Sequence, residues 1–279
     1  MAEGCTHDCS TCSANCPSKN GGIQKDAPNK NSDVKHIIAV MSGKGGVGKS
    51  LVTSMLAVHL SRKGYKVGIL DADITGPSIP KAFGMYVDVE GDGEGNMLPP
   101  ETATGIKVLS VNLMLDDESH PVVWRGSIIS GTVRQFWTDA AWGYLDYLLI
   151  DCPPGTGDVP LTVFQSLPID GCVIVSSPQD LVAMIVKKAA NMADMMNVPV
   201  LGLVENMSYI KCPDCGKEIK IFGESHIDSI AEEFGYDLLA RVPIDPAVAS
   251  AVDKGMVETV YCEPMTKAAE LLDKKCNAK

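Results

Sequence analysis

Aromatic residues are scarce: three Trp, seven Tyr and five Phe in 279 residues. Three other absences each remove a class of function. There is no dense run of Lys or Arg, and the formal net charge is -11. An electrostatic grip on nucleic acid rests on clustered positive charge, so no nucleic-acid partner is expected. No uninterrupted apolar stretch reaches the roughly 18 residues of a membrane helix, so no membrane partner is expected either. The first residues, Met-Ala-Glu-Gly-Cys-Thr-His-Asp, hold neither the basic nor the apolar segment of an export signal. The expectation is a cytoplasmic protein. Thiols stay reduced there, so the ten cysteines read as metal or redox chemistry more than as disulfides.

What is present falls into two parts. Residues 1–33 carry four cysteines and then a polar stretch with Gly21, Gly22 and Pro28. They read as a cysteine-rich tail on a flexible linker. Residues 34–279 alternate short apolar runs with helical patterns. Strands are expected at 35–41, 66–71, 106–111, 144–151, 171–176, 200–206 and 238–242. Helices are expected at 51–63, 127–141, 159–167, 181–196, 224–234 and 264–275, with a loop insertion at 88–105. Such alternation predicts an α/β fold, doubly wound, with a mainly parallel sheet and helices on both faces.

The most specific motif is Gly43-Lys44-Gly45-Gly46-Val47-Gly48-Lys49-Ser50. It fits the phosphate loop of nucleoside triphosphatases and sits between an apolar strand and a helix, as that motif requires. Glycines let the backbone N–H groups wrap a phosphate, Lys49 supplies charge to the β- and γ-phosphates, and Ser50 offers a hydroxyl to Mg²⁺. The early Lys44 marks the deviant Walker A class, in which this lysine reaches across a dimer to the partner's nucleotide.

Carboxylates complete the site. One strand ends in Asp71-Ala72-Asp73 and another in Asp151-Cys152-Pro153-Pro154. Ligands of open α/β sheets sit at the carboxyl ends of strands, and Mg²⁺ takes hard oxygen ligands. Asp151 is read as the Walker B-type carboxylate, Asp71 as support for the metal, and Asp73 as the group that orients or deprotonates the attacking water. Gly155-Thr156-Gly157-Asp158 reads as a switch loop. Asn206, at a strand end, can pair with a purine edge or serve as a turn residue.

The cysteines offer two metal sites. Cys212-Pro213-Asp214-Cys215 is a tight knuckle whose two thiolates can face one metal. A four-ligand site needs two more. A two-fold dimer would supply them from its second copy, and Cys9 and Cys12 would supply them to a structural zinc. Spacing serves zinc and iron–sulfur equally, and the phosphate-loop context favours iron–sulfur. Cys5, Cys9, Cys12 and Cys16 could hold a second cluster or a zinc, ordered by the metal itself.

Together these motifs resemble the Mrp/ApbC family, MinD-like P-loop ATPases that carry iron–sulfur clusters, over about residues 35–275. The resemblance implies the fold of MinD and of nitrogenase iron protein. It implies ATP and Mg²⁺ as cofactors, weak ATPase activity, and a 4Fe-4S cluster held between the subunits of a homodimer by Cys212 and Cys215. It also implies purine contact by Asn206 and Pro243, with recipient apo-iron–sulfur proteins and cluster assembly factors as partners. The competing expectation is a MinD/ParA-like spatial regulator ATPase in which the 211–222 insertion is a structural zinc knuckle.

Overall fold

The computed structural model of the chain describes residues 25–73, 78–114, 126–179 and 182–278. Seven strands form one sheet: β1 (Ser32–Met41), β2 (Val67–Asp71), β3 (Lys107–Ser110), β4 (Gly143–Asp151), β5 (Gly171–Ser176), β6 (Val200–Glu205) and β7 (Leu238–Arg241). Their order is β7-β6-β5-β1-β4-β2-β3, and every pairing is parallel. The helices are α1 (Lys49–Arg62), α2 (Ile79–Ala82), α3 (Gly126–Thr138), α4 (Asp158–Ser166), α5 (Val182–Met195), α6 (Ile227–Phe234), α7 (Pro246–Asp253) and α8 (Glu263–Asn277).

Side-chain alternation explains why the strands read as unbroken apolar runs. In β1, Ile38 and Val40 enter a core built with α1, α2 and α8, whereas Ile37, Ala39 and Met41 enter one built with α3, α4, α5 and α6. With both sheet faces covered, successive residues from Ile37 to Met41 are all buried and no polar alternation is needed there. No helix among the described residues is long and apolar enough to cross a membrane.

Topology sets the site. From β1 the chain crosses past β4's position to β2, and from β4 it later returns to β5 on the other side of β1. Parallel register pairs Val40 with Asp151 and Asp71 with Asp151. The carboxyl ends of β1, β2 and β4 therefore converge beside the phosphate loop, in the crevice where open sheets bind ligands.

Three expectations are amended. The last part of the expected linker lies against the domain from Lys25 onward: Asp26 N–H donates to Ser166 O at 2.7 Å and Trp137 Nε1–H to Asp26 O at 2.9 Å. The Arg134 guanidinium also grips the Asp26 carboxylate at 2.7 and 2.9 Å. The insertion at 88–105 contains a two-strand hairpin, Glu90–Gly91 against Met97–Leu98, whose turn Asp92 ties to the N–H groups of Glu94 and Asn96. Helix α7 was not expected, although Asp245 caps it by accepting the Ala247 N–H at 2.8 Å and Pro246 opens it.

Candidate nucleotide site and cysteine hairpin

Left-handed backbone at Gly46 (φ 78°) and Gly48 (φ 76°) folds the phosphate loop back on itself before α1 begins. No side chain caps the start of α1, so its first N–H groups face the loop. Gly43 is required for another reason. A Cβ there would lie 2.1 Å from Ile185 Cγ2, so α5 packs directly on the loop's first residue.

Lys49 is almost fully buried, with Nζ 2.8 Å from Asp151 Oδ2 and 3.5 Å from Asp73 Oδ2. Burial disfavours its ammonium, but the charges of Asp151 and then Asp73 outweigh that, and its pKa lies above the ordinary value. Asp151 is wholly buried and also accepts from Ser50 Oγ at 2.6 Å and Thr53 Oγ1 at 2.7 Å. Thr53 was missed in the sequence. It lies one turn beyond Lys49 and Ser50 on the same helix face, a spacing that could have revealed it.

Asp71 lies beside Asp151 on the neighbouring strand. Its oxygens accept from Ser110 Oγ at 2.9 Å and from the Asp73 N–H at 3.1 Å. Burial, and then the neighbouring Asp151 charge, hold its carboxyl well above the usual carboxylate range. Asp73 instead reaches the wall of a cavity of about 360 Å³ that residues 44–51 also line. Pro154 lines it too, and the next residue, Gly155, donates its N–H to Ser42 O at 2.8 Å, tying the switch loop to the root of the phosphate loop. The Lys44 ammonium donates to Gln179 Oε1 of the same chain.

A second cavity, of about 530 Å³, shares the Leu51 wall with the first. Asn206 and Pro243 line it together with Tyr209, Lys211 and Val248. Asn206 Nδ2 donates to Val47 O at 2.9 Å, so the strand-end asparagine is locked to the phosphate loop.

The cysteine pair projects on a short hairpin in which Ile210–Lys211 pairs with Glu218–Ile219. Cys212 N–H donates to Lys217 O, and Gly216 N–H to Cys212 O, each at 2.9 Å. Backbone N–H groups of Cys215 and then Asp214, followed by the Cys215 side chain, lower the Cys212 pKa and favour its thiolate. Cys212 is half-buried and Cys215 exposed. Among the described residues no group of three or more His, Cys, Asp or Glu could hold a metal ion, so these two thiols stand as a pair. Cys152, Cys172, Cys262 and Cys276 are buried, and burial pushes the Cys172 thiol up to about 12. Cys5, Cys9, Cys12 and Cys16 lie outside the described residues.

A family model described as "ParA: NUBPL iron-transfer P-loop NTPase" matches residues 33–278. The chain belongs to this NUBPL iron-transfer P-loop NTPase family. Relatives named iron-sulfur cluster carrier protein include one from Clostridium perfringens, 48% identical over 88% of this chain and 90% of its own length. Another, from Methanocaldococcus jannaschii, is 47% identical over 92% and 90%. Among solved structures, the nucleotide-binding protein of Archaeoglobus fulgidus, in complex with ADP and with cobalt found, is 47% identical and aligns with a TM-score of 0.72 over 81% of this chain and 88% of its own. The cell division ATPase MinD of Pyrococcus furiosus aligns at 0.63 over 86% and 99%, but at 23% identity it speaks for the fold alone.

As a NUBPL-family NTPase, the chain sets Lys49, Ser50 and Asp73 on the wall of one cavity, with Asp151 buried against Lys49 and Ser50, and sets Asn206 and Pro243 in the next. It leaves Cys212 and Cys215 outside both cavities, on the hairpin that rises from the second cavity's rim.

Proposed function

We propose that the chain binds and hydrolyses ATP and carries an iron–sulfur cluster that it hands to apoproteins, with one cluster gripped by Cys212 and Cys215 from each of two copies. The observation that carries this reading is the cysteine knuckle. Two thiols lie within reach of each other, one of them is favoured as thiolate by backbone N–H groups, and no third ligand stands nearby among the described residues. A two-fold axis through the hairpin doubles two ligands to the four that a 4Fe-4S cluster takes. The homodimer follows from that count, and the cluster is cargo.

The first cavity takes the phosphates and the second the base. With Nδ2 committed to Val47 O, what the Asn206 amide has left to offer a base is its acceptor, Oδ1. An acceptor complements the amino group of adenine and opposes the carbonyl of guanine, which favours ATP. Ser50 and Asp151 present hard oxygens suited to Mg²⁺, and Asp71, held by Ser110 on the neighbouring strand, supports the metal site from beside Asp151. When bound, Mg²⁺ neutralises charge on the phosphate oxygens. Asp73, lining the phosphate cavity, orients the attacking water. Lys49, held between two carboxylates, is positioned for the γ-phosphate. Phosphoryl transfer gains mostly from such positioning and charge. Activity stays weak while Lys44 is held by Gln179 in its own chain and unavailable to a second copy's nucleotide.

The test is transfer. Chain reconstituted with iron and sulfide is mixed with an apo-enzyme that requires a 4Fe-4S cluster, with and without ATP. Recovery of that enzyme's activity is the expected result. Cluster retained by the chain under every nucleotide condition would overturn the carrier reading. The spatial-regulator alternative has only the shared fold to support it.

A further inference from the structure

β6 ends at Glu205, whose carboxylate is fully buried yet engaged by three partners. Ser208 Oγ donates to Oε2 at 2.5 Å, Ser225 Oγ donates to Oε1, and Arg241 Nε stands 3.7 Å from Oε2. Ser208 and Ser225 are the two feet of the excursion that carries Cys212 and Cys215. Ser208 is anchored through its N–H to Val242 O at 2.9 Å, and Ser225 accepts the Ile227 N–H at 3.1 Å as α6 begins. One carboxylate thus closes the base of the cysteine loop. Burying such a group is costly unless its oxygens are bonded, which fixes its place while both serines hold it.

The adjacent Asn206 is fixed to the phosphate loop through Val47 O. Between the two anchors, Met207 has φ 58°, a left-handed conformation that L side chains rarely adopt. Such strain persists only where the surroundings over-determine it. Here Asn206 is fixed on one side and Ser208 on the other. Tyr209 and Lys211, on the outgoing arm of the hairpin, line the same cavity as Asn206 and Pro243.

We propose that Glu205 is the positioning residue of the cysteine hairpin, tying both of its feet to the strand end that presents Asn206, so that nucleotide in the cavity changes the setting of Cys212 and Cys215. The inference rests on the reading above for the cargo, but not for the coupling, which the metal-free protein already possesses.

The test is residue-resolved alkylation of Cys212 and Cys215 by iodoacetamide in metal-free protein, with and without saturating ADP or a non-hydrolysable ATP analogue. In wild type the rates change by about fivefold or more, the low end of ordinary coupling between sites. In Glu205→Ala, and in the double variant Ser208→Ala/Ser225→Ala, the response to nucleotide disappears. Glu205→Gln, which keeps the size and one acceptor, restores part of it. A full wild-type response in both the alanine variant and the serine pair would overturn the proposal, as would no response in wild type. Failure of the cargo reading looks different: wild type would take up no iron while the thiol response persisted.

Discussion

Replacing Gly48 by alanine separates two demands on one residue. Gly46 and Gly48 have nearly the same left-handed backbone, at φ 78° and 76°. A side chain in that conformation costs about 1–2 kcal/mol at either position. The surroundings differ. A Cβ on Gly46 meets nothing within 4 Å, whereas one on Gly48 would lie 2.2 Å from Asn206 Nδ2. Asn206 is buried and bonded to Val47 O, so it must give up that bond to make room. A buried polar group left unbonded costs about 1–3 kcal/mol. Gly48→Ala should therefore destabilise by about 2–5 kcal/mol, and Gly46→Ala by the backbone cost alone. Urea unfolding of the metal-free chain measures both. In the double variant Gly48→Ala/Asn206→Ala the clash is gone, so its cost should fall below the sum of the single variants by about 1 kcal/mol or more. ADP titration should show Gly48→Ala weakening nucleotide binding further than Gly46→Ala does. Equal costs for the two alanines, with an additive double variant, would refute the packing of Asn206 against the loop.

Lys49→Met leaves Asp151 buried without its partner at 2.8 Å; breaking such a pair costs about 3–5 kcal/mol, and nucleotide hydrolysis should disappear with it. Calorimetry and phosphate release check the two arms. His59 is buried, and burial, then the nearby Arg62 charge, lowers its pKa from 6.5 to about 4. Below 6.5 the unfolded chain takes up a proton that the folded chain refuses, so this group's contribution to stability is lost as pH falls from 6.5 toward 4. His59→Gln should flatten that part of the stability–pH curve, read by urea midpoints across the window. Trp137→Phe removes the hydrogen bond from Nε1–H to Asp26 O, worth about 0.5–1.5 kcal/mol. Trypsin should then cut at Lys25 and Lys30 sooner than in wild type.

Much of this was legible because each signal was local. All seven strands fall where apolar runs between turn signals place them, since a strand covered on both faces needs no other pattern. The phosphate loop was legible because its chemistry demands fixed residues at fixed spacing. What escaped rests on contacts distant in sequence. The strap from Lys25 reads as linker until Trp137 and Arg134 fold up against it. Glu205 reads as a polar strand end until Ser225, twenty residues on, closes over it. The partnership of Lys44 with Gln179 spans 135 positions and follows only from the strand order that brings β5's end beside the loop. Helix α7 is the exception, since Asp245-Pro246 announced it locally.

The central claim is that Cys212 and Cys215 hold a cluster shared by two chains. Iron, sulfide and zinc per chain, measured with the oligomeric state after anaerobic reconstitution, test it most directly. Wild type is compared with the double variant Cys212→Ala/Cys215→Ala. The account predicts a dimer with about four iron atoms that depend on this pair, over any contribution from the N-terminal cysteines, and that the double variant loses. Zinc in wild type, or iron content unchanged in the double variant, would contradict it.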